Sequence, residues 1–241
     1  MLGPFHEVGI ATADIRGSVE FYERLGFSQA TTTDAWNHPY GVLSDGRLVI
    51  GLHQRPGPSP VLTFVLPELA RQLPRLEQGG LHLSVRRIGE EVFNEIGFAD
   101  PFGQAVTVLE ARTYSPVARA ATDRSACGYF DEVSLPVTNF EAARQFWERL
   151  GFVATEELES PYLRLPLTSD TLDIAFHRPR TLDMPMLVFR DADMAERVAR
   201  LREQSAAMFI DLPRGLDSRC NALLQAPEGT VLALLQDETL P

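Results

Sequence analysis

Along its first fifty residues the chain alternates apolar and polar positions with a period of two, switches to a helical period, and switches back. Phe5, Glu7, Gly9 and Ala11 fall on one face of an extended run, and His6, Val8, Ile10 and Thr12 on the other. Asp14 stands where a helix N-cap is needed. Ile15, Val19, Tyr22 and Leu25 then recur at helical spacing until Gly26 supplies the left-handed position that ends the helix. Val8 and Ile10 are the face that packs on this helix, so Glu7 points away from it. Extended runs follow at Phe27 to Thr33, Tyr40 to Ser44 and Arg47 to His53, the last two separated by the hairpin signal Asp45-Gly46. The unit reads βαβββ.

The joint Arg55-Pro-Gly-Pro-Ser-Pro60 leads to a second, more divergent βαβββ unit. It comprises Val61 to Leu66, a helical stretch from Glu68 that Pro74 is expected to interrupt, and runs at Leu81 to Arg87, Val92 to Ala99 and Gln104 to Leu109. Asp100-Pro-Phe-Gly103 is its last turn, a role that asks nothing more of the carboxylate.

The opening stretch then recurs. FHEVGIATADIRGSVEFYERLGF at Phe5–Phe27 is answered by FDEVSLPVTNFEAARQFWERLGF at Phe130–Phe152, so the chain holds two homologous modules. Thr113 to Gly128, rich in Ala, Ser and Arg, reads as a linker, which places the modules at residues 1–112 and 129–241 with 113–128 between them. In the second module Asn139 caps a helix with Phe140, Ala143, Trp147 and Leu150 inward. Strands are expected at Phe152 to Glu157, Tyr162 to Leu167 and Thr171 to His177. A fourth unit runs from Met186 through a helix bearing Met194, Val198 and Leu201 to strands at Met208 to Leu212, Arg219 to Gln225 and Thr230 to Gln236. Ala226-Pro-Glu-Gly229 stands where Asp100-Pro-Phe-Gly103 stood. Phe21, Tyr22, Phe146 and Trp147 sit at helix-core spacing and read as packing.

Composition narrows the chemistry. The chain has 241 residues, 44% of them hydrophobic, and 22 basic against 33 acidic groups give a net charge of −11. That balance argues against nucleic acid or an anionic membrane as partner. Every basic residue is arginine, which excludes lysine Schiff-base chemistry and a phosphate-binding P-loop. The cysteines, Cys127 and Cys220, form no C-x-x-C pair, and no apolar run approaches membrane-spanning length. With no signal-peptide pattern at MLGPFHEV, a soluble, cytoplasmic monomer or homodimer is expected.

The repeated stretch closing in F-x-E-R-L-G-F, with a terminal D-P-x-G-type turn in each pair of units, resembles the vicinal oxygen chelate superfamily of glyoxalase I, extradiol dioxygenases and bleomycin-resistance proteins. The resemblance spans nearly the whole chain. It implies an α+β fold of four βαβββ units, forming two open-barrel modules with a cleft in each.

The resemblance also implies where a divalent metal would be held, by His or Glu on the first and last strands of each unit. Here those positions are Glu7, Gly51, Val61 and Thr107 in module one, and Glu132, Ala175, Met186 and Ala233 in module two. One carboxylate per cleft is too few for a site that normally needs about three protein ligands. No metal and no other cofactor is expected. His6, on the opposite strand face, does not add to the set.

What recurs instead is polar. His53 and His177 lie two residues beyond Gly51 and Ala175 on the same face. Glu7 with His53, and Glu132 with His177, are candidate carboxylate–imidazole pairs, with Asp173 added in module two. The alternative places both histidines in solvent at strand ends. Tyr40 and Tyr162 are candidates to wall the clefts, and the loop Asp34 to His38, present in module one alone, is a candidate lid. Arg164 and Arg190 are candidates to reach a cleft and recognise an anion, but the surface is the more ordinary place for arginine and is where they are expected.

Two readings of function stand, beside a third in which the chain is an interaction module with vestigial clefts. One is a metal-independent member, like the antibiotic-sequestering branch, that binds a small hydrophobic or aromatic molecule between an apolar wall and a Glu/His wall. The other is a lyase, isomerase or dioxygenase-like enzyme that uses those pairs, or a shifted metal site, for chemistry. The residues assign no catalytic role.

Overall fold

The first helix of each module begins where a side chain satisfies one of its open N–H groups. Asp14 accepts from Gly17 N at 3.1 Å and Asn139 from Ala142 N at 3.1 Å. Gly26 and Gly151, at φ of 90° and 104°, end these helices in the left-handed conformation. The computed structural model describes residues 2–31, 36–78, 80–111, 125–204 and 208–237.

The first unit comprises β1 (Phe5–Ala11), α1 (Ile15–Arg24), β2 (Ser28–Ala30), β3 (Tyr40–Ser44) and β4 (Val49–His53), and the second β5 (Val61–Val65), α2 (Leu69–Gln78), β6 (Leu83–Arg87), β7 (Glu95–Ala99) and β8 (Ala105–Leu109). The third comprises β9 (Tyr129–Pro136), α3 (Phe140–Arg149), β10 (Val153–Ala154), β11 (Arg164–Thr168) and β12 (Asp173–His177). The fourth comprises β13 (Met186–Asp191), α4 (Met194–Gln204), β14 (Phe209–Ile210), β15 (Ala222–Gln225) and β16 (Val231–Gln236). Pro74 lies inside α2 without interrupting it, contrary to expectation. The first turn of that helix begins at Leu69, after Glu68 at φ 53°.

The strands form two mixed eight-stranded sheets, ordered β2-β3-β4-β1-β5-β8-β7-β6 and β10-β11-β12-β9-β13-β16-β15-β14. Neither closes into a barrel. Within each sheet two units meet through an antiparallel pair of first strands, β1 with β5 and β9 with β13, so consecutive units build each module. A bulge interrupts each of these pairs, at His6 in β1 and at Asp131 in β9. Most of the expected linker lies outside the described residues; its end, Ser125 to Gly128, forms a bridge of its own.

The helix-facing side of both sheets feeds one continuous core. Val8, Ile10, Ile50, Val133, Leu135 and Ile174 belong to it, and Phe27 meets Phe189 across the modules at 6.3 Å between ring centroids. The last turns of the modules do more than turn. Asp100 Oδ2 accepts from Trp147 Nε1 on α3 at 3.1 Å, and Glu228 accepts from Tyr22 and Ser18 on α1, both at 2.8 Å. Tyr22 and Trp147 occupy the same place in the two repeats, so each module's helix docks on the other module's final turn. Among the described residues no helix is long and apolar enough to cross a membrane. The opposite face of each sheet remains for the cleft.

Candidate functional site

In module one the cleft face of β1 carries Glu7, Gly9 and Ala11. Gly51 on β4 lies beside Gly9, and His53 beside Ala11. Glu7 is buried to 1% exposure, with Oε1 at 3.1 Å from His53 Nε2 and Oε2 accepting from the Tyr40 hydroxyl at 2.5 Å. His53 Nδ1 faces His38 Nε2 at 3.0 Å, and His38 Nδ1 faces Asn37 Oδ1 at 3.1 Å. The expected Glu7–His53 pair is therefore formed and buried, with Tyr40 as its third member.

With Asn37 Oδ1 accepting from His38, the His38 Nε2 lone pair accepts from His53 Nδ1–H. The link between His53 Nε2 and Glu7 Oε1 then requires one proton of its own, carried by either atom. Burial, followed by nearby Arg55 and His53, lowers the His38 pKa from its ordinary value and keeps that ring neutral. Trp36 completes the wall, edge-on to His53 at 4.9 Å between centroids, and the Arg55 guanidinium lies over its indole at 5.6 Å. Of the candidate lid, Trp36 to His38 are described and cover His53; Asp34 and Ala35 fall outside the described residues.

Two glycines make this arrangement fit. A Cβ on Gly51 would stand 2.0 Å from Glu7 Oε2, so the carboxyl fills the space a side chain would take there. A Cβ on Gly9 would meet His53 Nε2 at 3.6 Å, so the imidazole lies directly over that glycine.

Module two has neither glycine, and its pair does not form. Ala175 occupies the place of Gly51 and Ser134 that of Gly9. Ser134 Oγ lies 2.8 Å from His177 Nδ1, while His177 Nε2 donates to the Leu182 carbonyl at 2.9 Å. The expected Glu132–His177 pairing is thus corrected: the imidazole is fully committed elsewhere, and burial pushes its pKa down to about 4. The alternative of solvent-exposed histidines fails as well, since His53 and His177 are both buried.

Glu132 turns instead toward Arg164, whose Nη1 is 3.8 Å from Oε2, and burial holds the Glu132 carboxyl up to about 7, against the opposing pull of Arg164. Arg164, expected at the surface, is only 8% exposed. Arg190 is also largely withdrawn from solvent, its Nε bonded to Asp131 Oδ2 at 2.6 Å. Tyr162 lies on the cleft face, with its ring 6.2 Å from that of His177. Asp173 starts β12, exposed, and takes no part in the cluster beyond its charge.

The two concave faces also differ in cover. Met186, Val188, Leu223, Val231 and Ala233 are buried beneath Leu182, Met184, Ile210, Leu212 and Leu216. In module one Val61, Ala105 and Thr107 remain half-buried and Val85 is exposed. A separate cavity of about 310 Å³ lies at the seam between modules, lined by residues that include Pro60, Asp100, Gln104, Leu135, Val137 and Pro185. It touches neither glutamate, and the carboxylate and imidazole chemistry lies elsewhere.

Neither donor set fits a divalent ion. In module one both Glu7 oxygens are taken by Tyr40 and His53, and Glu7, His53 and His38 form a chain whose atoms face one another rather than a common point. In module two Met186, Ala175 and Ala233 offer no donor.

No family model matches the chain, and no curated protein matches it. Solved structures do. Catechol 2,3-dioxygenase superposes with a TM-score of 0.58 at 14% identity, over 97% of this chain and 87% of that one. Homoprotocatechuate 2,3-dioxygenase from Arthrobacter globiformis gives 0.62 at 16% identity over 98% and 80%. The 2,3-dioxygenase LapB from a Pseudomonas species gives 0.62 at 15% over 99% and 93%. The chain shares the fold of these dioxygenases. The residues that decide how Glu7 and Glu132 are placed, Gly9, Gly51, Ser134 and Ala175, were not singled out as determinants from sequence. The signal was present: aligned on Glu7 and Glu132 in the first strands, and on His53 and His177 in the last, the two repeats differ at these positions.

Proposed function

We propose that the protein binds a small hydrophobic or aromatic molecule without a metal, on the open concave face of module one. The observation that carries this reading is the placement of Glu7. Its carboxyl fills the space over Gly51 and is held by Tyr40 and His53, so a fixed hydrogen-bonding group stands where a metal ligand would be expected. Trp36 and Tyr40 offer ring faces beside it, and Val61, Thr107 and Val85 supply an accessible floor. The occupant lays an apolar ring against these residues and directs a polar group at the His38–His53 end of the chain. Module two, with its face covered, contributes no such surface.

Titration with a panel of aromatic acids, phenols and polycyclic compounds tests this by thermal shift and by Trp36 fluorescence, with Trp36→Phe as control. A hit raises the melting temperature and quenches emission in the parent protein, and the quench disappears in Trp36→Phe. A panel without a single saturable binder overturns the reading.

A second reading, acid–base catalysis, rests on the Glu7–His53 hydrogen bond, since a buried carboxylate orients an imidazole that passes protons through Nδ1. It requires that His53→Ala abolish turnover of a bound compound while leaving its binding and the fold intact.

A further inference from the structure

Module two leaves a group of buried polar atoms unsatisfied. Among the described residues, Glu132 Oε1, the Tyr162 hydroxyl, Arg164 Nε and Arg190 Nη2 are buried and have no hydrogen-bond partner. Glu132 and Arg164 are themselves more than nine-tenths buried, at 4% and 8% exposure. The four groups are neighbours: Arg164 approaches Glu132 to 3.8 Å, and Tyr162 feels the charges of Glu132, Arg190 and Arg164, with the Ser134 hydroxyl near its own but outside good hydrogen-bond geometry. Folded proteins rarely leave buried donors and acceptors without partners, and four together mark a place where a partner is missing.

The fold explains why the chain does not supply one. His177 is spent on Ser134 and Leu182, and the facing positions on β13 and β16 are Val188 and Ala233. Arg190 satisfies Asp131 through Nε and keeps Nη2 spare.

The geometry points to a binding site for a small monocarboxylate beneath the cover of module two, held by the guanidinium groups of Arg164 and Arg190 and by the Tyr162 hydroxyl. Three of the four spare groups are donors, and a guanidinium edge matches the two oxygens of a carboxylate. The apolar cover of Leu182, Met184 and Leu212 restricts the occupant to few atoms.

Charge then couples binding to a proton. Arg190 and Asp131 neutralise each other, and Arg164 is balanced by Glu132 only while Glu132 is ionised. An entering carboxylate takes over that balance, so Glu132 takes up a proton and its O–H becomes a further donor. Burial has already raised the Glu132 pKa to about 7, which makes this uptake easy near neutrality. The shifted groups that face Glu132 lie away from that range. His177 on β12 is held down to about 4 and Tyr162 up to about 12, each by burial, and β16 presents Val231, Ala233 and Leu235. Asp173 on β12 is exposed and adds charge, and Asp131 is tied to Arg190.

The test titrates sodium formate and sodium acetate into ¹⁵N-labelled protein, following arginine Nε–H resonances at pH 6 and pH 8 with ionic strength balanced by sodium sulfate. Saturable shifts are expected at pH 6, with affinity about tenfold weaker at pH 8. Arg164→Met loses binding, whereas Glu132→Gln binds equally at both pH values. If Arg164→Met does not fold, by circular dichroism, Arg190→Gln takes its place and is expected to bind at least tenfold more weakly. No saturable shift at pH 6, or undiminished binding in the arginine variant, overturns the site. A Glu132→Gln protein that keeps the pH dependence overturns the proton uptake.

Discussion

A methyl group at residue 51 would stand 2.0 Å from Glu7 Oε2, on a strand whose backbone is fixed by neighbours on both sides. Gly51→Ala therefore expels the carboxyl and breaks its bonds to Tyr40 and His53 together. The expected loss is about 3 kcal/mol, because a buried partner is left unpaired. That corresponds to a fall of roughly 6–12 °C in melting temperature for a protein of this size, read by calorimetry. Ala175→Gly, the converse change in module two, removes a methyl group that no carboxyl replaces and leaves Arg164 opposite Glu132. Glu132 supplies a second residue-scale prediction. Its pKa rises from an ordinary 4.5 to about 7 on folding, so the folded state binds the proton more tightly. Its contribution is fully present below pH 4.5 and declines as pH rises to 7. Glu132→Gln carries no such proton, so its stability relative to the parent should grow by about 3 kcal/mol across that window, measured by urea unfolding. His177 acts in the opposite direction: with a pKa lowered to about 4, its contribution declines as pH falls from 6.5. The parent protein alone therefore shows these opposing contributions superposed with those of the other shifted groups, His38 and Asp45 among them, and only the comparison with Glu132→Gln isolates Glu132.

Among the elements, α1 and α3 have a role beyond covering their own sheets. Tyr22 and Trp147 each fill the core of one module and place a polar tip on the final turn of the other. The spacing that makes both residues core positions is legible in the sequence. Their partners are not, because Asp100 and Glu228 sit at different places within their turns and are distant from these helices along the chain. Tyr22→Phe keeps the ring and removes the donor, leaving Glu228 with Ser18 alone. It should cost about 1–2 kcal/mol, and Ser18→Ala should lose less in the Tyr22→Phe background than in the parent if the two hydroxyls hold the carboxylate jointly. Both values come from denaturant midpoints at constant m.

At the scale of the whole molecule, the two modules share one apolar core, with Phe27 on Phe189 and Phe64 on Phe152 crossing between them. Cutting the chain between modules would expose that surface in each half. A single calorimetric transition, with equal calorimetric and van't Hoff enthalpies, is the expected behaviour of the whole chain. Two separable transitions would mean that the shared core does not couple the modules. The concave faces, by contrast, lie outside this core, and it is there that the side chains of the two modules differ while the sheets are alike.

Strand and helix periods, caps, turn signals and the repeat are local properties, and the residues alone determined them: four βαβββ units, two modules, and a carboxylate followed by an imidazole on each cleft face. Nearest-neighbour alternation even placed Glu7 opposite the helix side. What only the tertiary structure decided was which way each side chain turned once there. Glu7 and His53 meet because Gly51 and Gly9 on adjacent strands leave room, and Glu132 and His177 do not because Ala175 and Ser134 fill it. That outcome rests on contacts a few ångströms long between residues far apart in the chain, and a one-dimensional pattern carries the side of a strand but not the space beside it.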